Sequence, residues 1–123
     1  MIQNPNMLAK VRSDALTESC RDMPCTLRIG TFIGIPCSGP DTVVGAHLPV
    51  FGKGMATKVS DIHIIAGCFS CHNLLDWERD PRGAIIAERY PDAFWNQVFR
   101  AYCETISRWV HAGLIVVPGA KIV

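Results

Sequence analysis

No run of about 18 apolar residues occurs in this 123-residue chain, so no transmembrane helix is expected. The opening residues Met1-Ile2-Gln3-Asn4-Pro5-Asn6 are polar and lack the apolar core of a signal peptide. A cytoplasmic protein is therefore expected. Neither sign of charge is in excess. Twelve Lys and Arg against eleven Asp and Glu leave a net charge of +1, too little to draw the whole molecule onto a polyanion. A local basic face can still form from Arg28, Lys53 and Lys58. Charged residues make up only 19% and apolar residues 49%, the balance of a globular chain. There is no internal repeat, low-complexity tract or linker, so a single domain is expected.

Cysteine is not scarce. Disulfides are rare inside cells, so six cysteines in such a chain read better as metal ligands than as bridges. Cys68-Phe69-Ser70-Cys71 can grip one ion from a single tight turn. Upstream, Cys25 and Cys37 bracket a short apolar segment. Eleven residues separate them, more than zinc-ligand pairs usually show. Together the four thiols predict a tetrathiolate zinc site. The rival reading makes Cys25 and Cys37 buried structural cysteines, and Cys20 competes with Cys25 as ligand. Cys103 lies beside an apolar helix face and reads as core. A redox role for Cys68 and Cys71 is disfavoured, because no βαβ pattern surrounds them.

Along the chain, Met7 to Leu16 predicts a short amphipathic helix that ends before Ser19. Cys25-Thr26-Leu27-Arg28-Ile29 alternates weakly and predicts a strand. Pro36 to Asp41 is dense in turn residues. Thr42 to Leu48 is β-branched at its start and predicts a strand ending near His47. Phe51-Gly52-Lys53-Gly54-Met55 is glycine-rich but does not fit a phosphate loop. The apolar run Ile62–Ala66 leads into the Cys68 knuckle. A helix from Phe69 to Trp77 is stopped by Asp80-Pro81, and another covers Gly83 to Arg89. The clearest periodicity joins Trp95, Val98, Phe99, Tyr102, Ile106, Trp109 and Val110 on one helix face. That face reads as buried, which makes Trp95, Phe99 and Tyr102 core rather than a platform for stacking bases. Gly113 suits the helix C-terminal cap, and Leu114 to Val117 predicts a final strand.

Histidines carry the candidate chemistry. His47 ends a predicted strand, where an imidazole can take a proton from water. The plainer reading is a hydrogen-bonded structural histidine. His72 and Asp76 are four apart on a predicted helix, hence on one face. An imidazole and a carboxylate so spaced can hold Mg²⁺ or Mn²⁺, or simply bond each other. Asp61 can orient His47, ligate metal or cap a turn. His63 reads as core-facing, and His111 reads as interacting with the last helix carbonyls.

Read in order, these pieces are Cys25-x2-Arg28-Ile29, Pro36-Cys37, Ala46-His47-Leu48, Thr57-Lys58-x2-Asp61 and Cys68-x2-Cys71-His72-x3-Asp76. The series resembles the small lambdoid phage and prophage nucleases of the YbcO-like family, over roughly residues 20–80. That resemblance implies an α+β fold with a small ββα-metal (HNH-like) core. A structural zinc knuckle braces the core, with an N-terminal helix before it and a long C-terminal helix after it. Residues 1–19 would be an extension, 20–80 the core and 81–123 a helical cover. By position, His47 would be the general base of a phage-encoded DNA endonuclease. His72, Asp76 and Asp61 would be candidate ligands of a catalytic Mg²⁺ or Mn²⁺. Cys25, Cys37, Cys68 and Cys71 would hold the structural Zn²⁺, with Arg28 and Lys58 on phosphates.

Two departures stand out. HNH enzymes often carry Asp or His just before the base, where this chain has Ala46. The usual Asn before the knuckle is also missing, and Asp61 stands in for it. A fold that has lost activity is therefore a further reading. The main rival is a non-catalytic zinc-ribbon module that binds nucleic acid or protein. DNA is the expected partner and no membrane is expected. The apolar C-terminal helix leaves a surface for self-association into a homo-oligomer.

Overall fold

The computed structural model describes residues 10–49 and 59–123. Its elements are α1 (Asp14–Ser19), β1 (Val44–His47), β2 (Ile64–Gly67), α2 (Phe69–Leu75), α3 (Arg82–Arg89) and α4 (Pro91–His111). Short 3-10 turns occupy Cys20–Asp22, Ile29–Ile33 and Pro40–Thr42. The fold is α+β.

β1 and β2 pair antiparallel, with Val44 opposite Gly67 and His47 opposite Ile64. The Leu48 N–H donates to the His63 carbonyl at 2.8 Å, which carries the ladder one step past His47. A two-stranded sheet leaves an outer row of backbone groups to satisfy. Here threonines do part of that work. Thr26 donates its N–H and its hydroxyl to the Ala66 carbonyl, at 2.9 and 2.7 Å. The buried Thr105 hydroxyl, on α4, accepts the Ala66 N–H at 3.3 Å.

The strand expected over Cys25–Ile29 does not form. Thr26 makes the single strand-like contact, and then the chain bends. Arg28 takes a left-handed conformation at φ 50°, and a 3-10 turn follows from Ile29. The bend turns Cys25 toward the other thiols, and the β pattern gives way to it.

The helix expected over Met7–Leu16 instead spans Asp14–Ser19; residues 7–9 lie outside those described. Ser13 caps it, its hydroxyl accepting the Leu16 N–H at 3.2 Å. Before the cap, the Val11 backbone is bonded to the Ser60 hydroxyl and the Asp61 N–H, at 2.9 and 2.8 Å. That backbone is therefore not free to wind.

Helices α2 and α3 fall where expected. Their junction depends on Gly83, because a Cβ there would run into the Leu74 carbonyl. Helix α4 also forms as expected, but its buried face differs. Phe94, Val98, Ala101, Thr105 and Trp109 face the core, while Tyr102 and Ile106 flank it. Trp95 and Phe99 are 44% and 64% exposed. The inward stripe includes a small residue and a threonine, so hydropathy alone steered the reading to the aromatic stripe beside it. Cys103 is likewise exposed rather than core. Gly113 closes the helix at φ 75°, with the Leu114 N–H on the Trp109 carbonyl and the Gly113 N–H on Val110, at 2.9 and 3.1 Å. Leu114–Val117 is not a strand but a bend followed by irregular chain.

Trp109 is fully buried, and its indole N–H donates to the Ser19 hydroxyl at 2.8 Å, which ties α4 to α1. Trp109→Ala should lower stability by about 3–5 kcal/mol. The expected readout is a urea midpoint well below that of the wild type with an unchanged slope.

Candidate metal centre and the His47–Asp61 pair

Cys25 lies in the bend before Arg28, and Cys37 in the loop before the Pro40 turn. Cys68 is the N-cap of α2, and Cys71 lies within its first turn. Their four sulfur atoms all lie within 4.8 Å of one another. A tetrahedral zinc with bonds near 2.3 Å would set its sulfurs about 3.8 Å apart. The four cysteines are therefore close enough to hold a metal ion, and an all-thiolate set favours zinc.

Local sequence builds this geometry. Residues 36–42 supply Cys37 and also cap α2. The Thr42 hydroxyl accepts the Phe69 N–H at 3.1 Å, and the Ser38 hydroxyl accepts the Ser70 N–H at 3.0 Å. The Ser38 N–H points at the Cys68 sulfur, 3.5 Å away. Backbone N–H groups of Arg28 and Cys68 face the Cys25 sulfur, and that of Gly30 faces Cys71. Such N–H groups steady thiolates, as outer-shell partners of metal ligands commonly do.

The thiols resist sharing negative charge. The Cys71 thiol donates to Cys25, which lowers the Cys25 pKa to about 4 and raises that of Cys71. Burial, followed by repulsion from Cys25, pushes Cys37 up to about 12. For Cys68, burial raises the pKa but hydrogen bonds from Ser70, Cys71 and Ser38 outweigh it. Cys25 and Cys68 therefore ionise more readily, while Cys37 and Cys71 hold their protons. A divalent cation reverses that order by displacing the protons. Cys20 is not part of the cluster. It is buried, its thiol reaches the Leu16 carbonyl at 3.7 Å, and burial raises its pKa to about 11.

The second centre lies at the end of β1. Ala46 is fully buried, and His47, next along the strand, faces the opposite side with its ring about a third exposed. A carboxylate at position 46 would thus point into the core, away from His47. His47 Nε2 lies 3.0 Å from Asp61 Oδ1. The other carboxylate oxygen of Asp61 accepts the Ser13 N–H at 2.7 Å, and Arg12 approaches at 3.9 Å. Burial raises the Asp61 pKa, but the His47 ring, the Ser13 N–H and the Arg12 charge outweigh it and hold the carboxyl below its ordinary value. Asp61 therefore stays ionised and accepts. The hydrogen in that contact is carried by Nε2 of His47.

Of the expected catalytic-metal ligands, Asp61 is thus engaged with His47 and Ser13. Asp76 caps the end of α2, accepting the Glu78 N–H at 3.2 Å and pairing with Arg79 at 3.5 Å. His72 is half-buried on α2, a helix that packs on both strands. Among the described residues, Asp61, His72 and Asp76 do not gather into a three-ligand group. Arg28 pairs with Glu104 at 3.2 Å. Lys53, Lys58 and the glycine-rich 51–55 segment lie outside the described residues. His63 packs its ring at 6.4 Å from that of Tyr102, and His111 is exposed in the last turn of α4. The roles of Arg12 and Ser13 were missed from sequence. A charged side chain and a backbone N–H next to a helix cap carry no signal of a partner 48 residues away.

No family model, curated protein or solved structure matches this chain.

Two outcomes follow. Purified protein should carry one zinc per chain by mass spectrometry, released by acid as protons displace it. Cys71→Ser should lose the zinc and much of the cooperative unfolding transition. The second concerns pH. Asp61 has a lowered folded pKa, so its contribution is present above the unfolded value near pH 4 and fades as pH falls through the folded one. Asp61→Asn should cost about 1–3 kcal/mol at neutral pH. Its deficit against the wild type should shrink below about pH 4, as followed by urea melts at both pH values.

Proposed function

We propose that this chain is a metal-dependent DNA endonuclease of the HNH type. The observation that supports it most is the imidazole of His47, oriented by a buried carboxylate at the end of one strand of a β–β–α unit. The chain order β1, β2, α2 and the thiol cluster at the start of α2 agree with a zinc-braced ββα core.

In this reading the His47 imidazole removes a proton from water, and the resulting hydroxide attacks the phosphate. The P–O bond to the leaving sugar oxygen breaks, and that oxygen takes up a proton from solvent. Asp61 is a positioning residue. It fixes the ring through Nε2 and favours the imidazolium that forms, as a carboxylate partner does for a histidine base. Asp61 and Asp76 fit poorly as metal ligands because other groups engage them. His72, the imidazole that the sequence resemblance implies as a ligand, would hold the divalent ion. When bound, Mg²⁺ or Mn²⁺ would supply positive charge at the phosphate. Ala46, buried on the far side of β1, takes no part. The phage or prophage origin implied by the sequence resemblance belongs to the same proposal.

One observation favours the rival, a non-catalytic zinc-ribbon module: the tetrathiolate set is the single multi-ligand group among the described residues. Supercoiled plasmid with Mg²⁺ or Mn²⁺ separates the two readings. The wild type should nick it, and His47→Ala should lower the rate by about 10²–10⁴-fold with zinc retained. No nicking by a folded, zinc-loaded wild type would sink the nuclease in favour of the module.

A further inference from the structure

Phe99 sits mid-way along a helix that covers the core, yet its ring is turned to solvent. It is one wall of an open groove of about 670 Å³, lined also by Arg28, Asn96, Arg100, Cys103 and Glu104. The groove lies where α4 meets the Cys25 bend. Gln97 fixes that junction by donating to the Thr26 and Leu27 carbonyls at 3.2 and 3.0 Å.

Its charge is lopsided, unlike that of the whole chain. Glu104 is matched by Arg28 at 3.2 Å and by Arg108 at 3.8 Å. Arg100 has no acidic partner among the described residues, so the groove is lined by two guanidiniums and one carboxylate, and that carboxylate is already paired.

Arg28 is informative in a second way. Its left-handed backbone, at φ 50°, suits glycine and disfavours residues with a Cβ. The knuckle needs only its backbone N–H, directed at Cys25. A glycine would meet that need, so the side chain has its own reason to be there, and it reaches into the groove.

We propose that this groove binds single-stranded nucleic acid, one base stacking on Phe99 and the flanking phosphates meeting Arg28 and Arg100. Exposed aromatic rings beside guanidiniums are the combination that unpaired strands use. A duplex keeps its bases stacked on each other and would engage the arginines alone. The Asn96 amide can meet a base edge, and Glu104 holds the Arg28 guanidinium in place. The proposal deepens the nuclease reading by naming the substrate class, DNA with unpaired bases near the cut, and for that use it rests on that reading. Binding itself is separable from cleavage.

The test is fluorescence anisotropy with zinc-loaded full-length protein, without added Mg²⁺ or Mn²⁺. The probes are a short labelled oligothymidylate and a blunt duplex of equal length. Phe99→Ala should weaken the single strand about tenfold or more and the duplex by less than about twofold. Phe99→Tyr should restore the affinity. Arg100→Gln should lower the salt dependence of both by about one unit of slope. Circular dichroism and zinc content check that each variant is folded. Equal losses for strand and duplex, or no loss on Phe99→Ala, would overturn the proposal. So would binding of an acidic peptide in place of DNA. His47→Ala should leave binding intact. A protein that binds the strand but never cuts overturns the nuclease alone. One that cuts plasmid while Phe99→Ala leaves binding unchanged overturns the groove alone.

Discussion

Four cysteine sulfurs within 4.8 Å of one another cannot all be thiolates unless a cation lies among them. Much of the architecture depends on that constraint. Residues 20–42 contain only 3-10 turns and irregular chain, which bury little on their own. Ser38 and Thr42 tie them to the start of α2 by capping that helix, and a metal bound by Cys25 and Cys37 with Cys68 and Cys71 would complete the tie. Small domains with modest cores commonly rely on such a staple. The apolar core then closes over it, with Leu27, Ile29, Ile64, Ile65 and Leu74 fully buried beside the thiols.

β1 divides the molecule's tasks between its two faces. Ala46 points inward and contributes packing. His47 points outward, and its environment is polar and charged. Asp61 joins the two parts, buried enough to hold a fixed geometry yet ionised because three separate groups favour its charge. The N-terminal segment supplies two of those groups, Arg12 and the Ser13 N–H. Residues that look like an extension in the sequence are thereby part of the surroundings of the imidazole.

The helices α2, α3 and α4, the strand ending at His47 and the four thiols were legible because each rests on local pattern or on ligand chemistry. The misreadings share a cause. Cys25–Ile29 alternates like a strand, but the chain bends at Arg28 and carries Cys25 to the other three thiols. On α4 the aromatic residues form the more apolar stripe, while the core takes Ala101 and Thr105, whose hydroxyl meets the Ala66 N–H on β2. Asp76 had the right spacing for His72, but α2 ends at Leu75 and the carboxylate turns to its own C-terminal loop. Local sequence does not encode such long-range demands.

The bond from Trp109 to Ser19 spans 90 residues and joins the last turn of the final helix to the end of the first. A chain leaving the ribosome can bring its four cysteines together once residue 71 has emerged. It cannot seat α1 until nearly the whole polypeptide is out. Synthesis therefore passes through a stage in which the thiol cluster can assemble while the apolar surface later covered by α4 is open to solvent. A metal bound at that stage would hold the partial fold together while the surface waits for α4.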